Sequence, residues 1–241
     1  MNTSARERPS DTFLDAFNAI DRMLRKATKT TRARISFPEV LQLAVTKDPS
    51  LGPVVDQLEI YRQLRNLIVH EGRDLAEPLG PTLASIGKIR RRLEEPAPLA
   101  PAFLGRVVTC RPTDPVRDVA QKMATKDFSQ IPVYDARGLL QGVITTAAIA
   151  RWLGKHAQGS AAKLDTEVKR VMQDEEYPRA FRVFKTTDTV GKALAAFKTS
   201  TDRGEPLYAV VLTDDGHHDS TPKGVITLFD VPRLWSVALR S

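Results

Sequence analysis

Apolar positions follow two different rhythms along this chain. From Asp11 onward, Phe13, Leu14, Phe17, Ile20, Met23, Leu24 and Ala27 recur at helical spacing, which predicts an amphipathic helix. A shorter helix is expected over Pro38–Thr46, with Pro38 in its first turn. Asp48-Pro-Ser50 separates it from a long third helix, Pro53–His70, stopped by Gly72, and a fourth is expected over Pro81–Glu94. Pro96-Ala-Pro-Leu-Ala-Pro101 cannot continue a helix and reads as an interdomain linker. Beyond it the apolar runs shorten to strand length, and a helical rhythm separates them.

That second region contains one unit twice. Gly142-Val-Ile-Thr145 recurs as Gly224-Val-Ile-Thr227, and Thr113-Asp114 with Val116 answers to Thr187-Asp188 with Val190. Val119, Met123 and Thr125 likewise answer to Ala193, Phe197 and Thr199. Each copy predicts a short strand (Arg106–Cys110; Phe181–Lys185) and a helix opening at Asp114 or Asp188. A hairpin (Ile131–Tyr134 with Leu140–Thr145; Tyr208–Leu212 with Gly224–Thr227) and a closing helix follow. The second copy is longer, at Thr201–Glu205 and in the turn Asp214–Lys223, where loop tips accept length.

In both copies a threonine, Thr145 or Thr227, stands where the last strand gives way to a helix. A hydroxyl there caps the helix beside unpaired backbone N–H groups, which also suits a phosphate. Asp230 follows Thr227 by three residues, a spacing equally expected of a capping box. The first copy has Ala148 at that position, and Pro232 is expected to disturb the helix start around Asp230.

The Thr-x-Asp-x-Val spacing, Ser129-Gln-Ile-Pro-Val133 and the closing Gly-Val-Ile-Thr resemble a pair of CBS domains, a Bateman module, over roughly residues 104–239. The second copy departs from the pattern, with Leu207-Tyr-Ala-Val-Val211 in place of Ser-x-x-Pro-Val. The resemblance implies an adenine nucleotide ligand, such as AMP, ADP, ATP or a related adenosyl compound. It implies that Asp230 binds ribose hydroxyls and that Thr227 and Thr145 touch phosphate, with at most one complete site.

The third helix carries a different kind of chemistry. On a wheel started at Val54, the apolar side holds Val54, Leu58, Tyr61, Leu64, Leu67 and Ile68, and Arg65 falls among them at about 20°. A guanidinium there needs a carboxylate, backbone carbonyls, a partner subunit or a phosphate. Arg62, Asn66 and His70 form a polar ridge beside it. This Arg-Asn-x-x-x-His pattern resembles the HEPN family, many of whose members are metal-independent ribonucleases acting as dimers. The resemblance, over roughly residues 11–95, implies phosphate binding by Arg65, orientation or solvent contact by Asn66 and proton transfer by His70, with RNA as partner. The alternative pairs Arg65 with Asp15, Asp21 or Asp56 and leaves His70 as a helix C-terminal residue favoured by the dipole.

Charge and composition narrow these readings. The net charge of +7 is spread through the chain. A local run, Arg22, Arg25, Lys26, Lys29, Arg32 and Arg34, reads as a solvated helix end or a phosphate-contacting stripe. A single cysteine, Cys110, excludes an intrachain disulfide and multi-thiolate metal sites, and on a strand it is expected to be a small buried hydrophobe. His217-His218 sits in an expected flexible hairpin tip without further metal ligands at fixed spacing. No apolar run approaches the roughly 20 residues of a membrane span, and Met1–Ser10 lacks a signal-peptide core, so a cytoplasmic location is expected.

The chain is thus expected to be an α+β multidomain protein with a HEPN-like four-helix domain at 1–95 and a linker at 96–101. CBS repeats at 102–158 and 159–241 follow. The expected activity is sensing of an adenine nucleotide, coupled to a dimeric helical domain that is either a metal-independent ribonuclease or a non-catalytic partner-binding module.

Overall fold

The computed structural model describes residues 8–31, 35–71, 76–156 and 164–240. Gly72 and the Arg32 and Arg34 end of the basic run lie outside them. Contacts divide the chain into two units, residues 1–97 with 189–195 and 235–241, and residues 98–188 with 196–234.

In the first unit, α1 (Pro9–Thr28) begins with a proline whose missing N–H is not needed there, and ends at Lys29 in the left-handed conformation. Its apolar stripe, Phe13, Phe17, Ile20 and Leu24, is buried together with Leu58, Tyr61, Ile68, Ile86 and Ile89 from later helices. Phe13 meets Tyr61 edge-on at 5.7 Å between ring centres. α2 (Phe37–Lys47) opens with a capping box, the Ser36 backbone N–H donating to Glu39 Oε2 at 2.7 Å. The third element starts later than its sequence predicts, because Pro49–Val54 forms a 3₁₀ helix whose start is held by Asp48 accepting from Ser50 N. α3 (Val55–His70) and α4 (Gly80–Glu94) complete the set. The basic run is not simply solvated, since Arg25 is tucked against Asp21 at 2.7 Å with both side chains largely buried, while Arg22, Lys26 and Lys29 are exposed. Leu67, expected on the buried face of α3, is exposed.

The second unit holds the repeat. The first copy comprises α5 (Val116–Lys126), the antiparallel hairpin of β1 (Gln130–Tyr134) and β2 (Leu140–Thr145), and α6 (Thr146–Lys155). A short helix, α7 (Val168–Val171), leads into the second copy. There β3 (Phe181–Lys185) pairs in parallel with β4 (Ala209–Thr213), which pairs antiparallel with β5 (Gly224–Ile226). The intervening helix is α8 (Val190–Asp202) and the last is α9 (Val231–Arg240).

Two expectations are corrected. The helices open at Val116 and Val190, because Asp114 and Asp188 turn back to accept from Arg111 N and Lys185 N instead. The segment Arg106–Cys110 forms only one bridge, Cys110 to Val133. There Cys110 N donates to Pro132 O and Tyr134 N donates to Cys110 O, and the next bond would need an N–H at Pro132. Within the proline-rich segment Leu99 is fully buried, with its N–H donating to Asp188 O and that of Ala100 to Thr186 O.

Candidate functional site

One cleft of about 960 Å³ lies within the repeat unit. The chain segment Phe103–Val108 forms one wall, and its close approach is permitted by Gly224, where any Cβ would strike the Phe103 carbonyl. Gly105 N donates to Lys223 O at 2.8 Å, which fastens that wall to the start of β5. Met123, Pro132 and Ile149 give an apolar interior, and Ser129, Gln130 and Thr146 add polar groups.

Thr227 and Asp230 both line this cleft. They form a capping box in which Thr227 N donates to Asp230 Oδ2 at 2.8 Å and the Thr227 hydroxyl lies 3.1 Å from the same oxygen. Both contacts fall on Oδ2, and among the described residues no hydrogen bond falls on Oδ1. Pro232 does not disturb the geometry as expected, because Leu228–Asp230 makes a 3₁₀ turn and the proline then occupies the first turn of α9, where its missing N–H costs nothing. The cap and ligand readings of the Thr-x-x-Asp spacing are therefore compatible.

Sequence reasoning missed two arginines here. Arg233 reaches the cleft with its guanidinium 5.1 Å above the Phe103 ring and Nη2 donating to Ala102 O at 2.6 Å. Arg106 lines the same cleft. The signal available in sequence was the position of Arg233 one helical turn after Asp230, and no signal marked Arg106, which the chain crossing brings in.

Thr145 does not line the cleft. Its hydroxyl accepts from Ala148 N at 2.9 Å and donates its one proton to Glu175 Oε2 at 2.7 Å, so the donor that a phosphate contact would need is engaged. Cys110 is buried, and burial first, then the Asp114 charge, pushes its thiol up to about 12.

On α3, Arg65 Nη1 donates to Asn66 Oδ1 at 3.2 Å, and Arg65 is only half-buried. Of the carboxylates expected to partner it, Asp21 holds Arg25 instead. His70 is exposed on the last residue of the helix. One chain thus brings Arg65 and Asn66 together and leaves His70 on the surface a turn away.

The two copies share a helix, a strand hairpin and a closing helix, with an isolated bridge in the first where the second has an opening strand, and the Thr227 cap lines the cleft. Residues 105–155 match the CBS domain family. The C-terminal region therefore contains a CBS domain, and the match lies wholly outside the N-terminal helices. No curated protein sequence matches the chain. Among solved structures, a CBS-domain containing protein of Agrobacterium tumefaciens is 20% identical, with a TM-score of 0.40, over 54% of this chain and 84% of its own. The CBS domain of a CBS domain containing membrane protein from Sphaerobacter thermophilus is 21% identical, TM-score 0.43, over 63% and 97%. The protein CBSX2 in complex with AMP is 15% identical, TM-score 0.43, over 60% and 99%. No helix among the described residues is long and apolar enough to cross a membrane.

Proposed function

We propose that residues 102–158 and 159–241 act as two CBS repeats that bind one adenine nucleotide, and that Thr227, Asp230, Arg233 and Arg106 form the polar end of its site. The observation that carries this is the meeting of a capping carboxylate and two arginines in a cleft of about 960 Å³, the upper part of the range of small-molecule pockets. Apolar walls at Met123 and Ile149 suit a purine, Asp230 Oδ1 suits ribose hydroxyls, and the arginines suit phosphate. The adenine base is taken from the resemblance to CBS domains.

Ligand binding stabilises the folded chain by about 2.7 kcal/mol at 100 times the dissociation constant. Thermal melting with AMP, ADP, ATP, a cyclic dinucleotide and S-adenosylmethionine at millimolar concentration tests this. Asp230→Ala removes the shift, whereas Thr145→Ala lowers the starting melting temperature and keeps the shift. A melting curve unmoved by every compound removes the proposal.

For the helical unit, the proposed role is a non-catalytic one in dimerisation or partner binding, regulated by the nucleotide. The exposed His70 beside the Arg65–Asn66 contact supports a second reading, a HEPN-type, metal-independent ribonuclease assembled from two chains, with His70 as proton carrier and Arg65 at the phosphate.

A further inference from the structure

The two repeats contact each other through matching residues. Phe103 crosses over Gly224 and Met172 over Gly142, the same glycine of each Gly-Val-Ile-Thr. Leu99 N donates to Asp188 O and Val168 N donates to Asp114 O, again an equivalent pair. Three residues beyond Phe103 stands Arg106, and three beyond Met172 stands Glu175. Arg233 follows Thr227 by six residues, and Arg151 follows Thr145 by the same six. One face of the pair therefore presents two cations, while its counterpart presents a cation and a carboxylate.

That carboxylate is buried, with the Glu175 side chain 2% exposed. Glu175 Oε2 accepts from the Thr145 hydroxyl at 2.7 Å, and Oε1 accepts from Arg151 Nη2 at 3.2 Å and from Tyr177 N at 3.4 Å. Arg151 Nη1 donates to Glu176 at 3.0 Å, and its Nε is buried without a partner among the described residues. Tyr208, at the repeat position equivalent to the cleft-lining Gln130, faces the same group, its phenol pushed up by burial and then by the Glu175 charge. Threonine hydroxyl, arginine and backbone N–H are the donors an anionic ligand would need, and a side chain already holds them.

We infer that Glu175 is a built-in anion that fills the first repeat's counterpart of the nucleotide cleft, so that each chain takes one nucleotide instead of two. This rests on reading the cleft as a nucleotide site. Removing the carboxylate leaves Arg151 and the Thr145 hydroxyl without their partner and creates a second seat.

Titration calorimetry of the full chain with AMP tests it. The wild type binds one AMP per chain, Glu175→Ala binds two, and Asp230→Ala binds none. Glu175→Ala introduced into the Asp230→Ala background restores one, and adding Arg151→Ala removes it. Glu175→Gln, which keeps the volume and the Thr145 contact, restores the site at lower affinity and guards against a misfolded alanine variant. Folded Glu175→Ala and Glu175→Gln chains that bind no more AMP than their parents overturn the inference and leave the cleft proposal standing. A wild type that binds no AMP overturns the cleft proposal instead. In that case one AMP bound by Glu175→Ala supports the Glu175 assignment, and none overturns it.

Discussion

Gly224 shows how one side chain decides the geometry of the cleft. A methyl group there meets the Phe103 carbonyl, a backbone atom that cannot swing aside, so Gly224→Ala is expected to cost about 3 kcal/mol and displace the cleft wall. Gly87, inside α4 with open space around it, is the matched control, and Gly87→Ala is expected to stabilise by about 0.5 to 1 kcal/mol. Urea denaturation of both variants checks the pair of signs. Cys110 makes a second residue-scale prediction. Its thiol is raised to about 12 and buried, so thiolate is scarce below that pH, and a disulfide reagent at pH 8 is expected to label Cys110 only after unfolding. Rapid labelling of the native chain contradicts its placement. The recurrence of Gly142 and Gly224 was legible in the sequence, but the reason for it was not, because the segments that cross them come from the opposite repeat.

Among the elements, the unequal first strands follow from one residue. Val210 stands where the first copy has Pro132, so the second copy completes a parallel ladder from Phe181 to Lys185 and the first stops at Cys110. Hydrogen exchange is expected to show protection at Cys110, Tyr134 and the bonded amides of β3, with residues 106–109 exchanging much faster; equal protection along both segments contradicts this pairing. The hairpins and the helices were readable from periodicity, because their apolar positions face a core whatever the tertiary arrangement. The first strand of copy one was not, because periodicity counts side chains and is blind to a missing N–H. Leu67 failed for a related reason. A wheel assigns one buried face, whereas α3 buries Leu58, Tyr61 and Ile68 and leaves Ile60 and Leu67 exposed.

For the whole molecule, two regions of different character were visible from the change of rhythm near residue 96, and the CBS resemblance was carried by motifs dense enough to match a family over residues 105–155. The helical region offered only a short motif, and its physical content is modest, an Arg65–Asn66 contact with His70 exposed nearby. The ribonuclease reading predicts cleavage of single-stranded RNA in buffer containing a chelator, lost in His70→Ala with the fold intact, and wild-type protein that leaves RNA uncut with and without nucleotide contradicts it. Thr227 and Asp230 were legible as a candidate site because their spacing is local. Arg106 and Glu175 were not, since both are carried into place by segments that cross between repeats. The central claim, one adenine nucleotide held in the Thr227–Asp230 cleft, is tested most directly by backbone amide chemical shifts during an AMP titration. Saturable shifts at Gly105, Arg106, Ser129, Thr227, Asp230 and Arg233 that vanish in Asp230→Ala are the predicted result; shifts absent there, or confined to the α3 helix, contradict it.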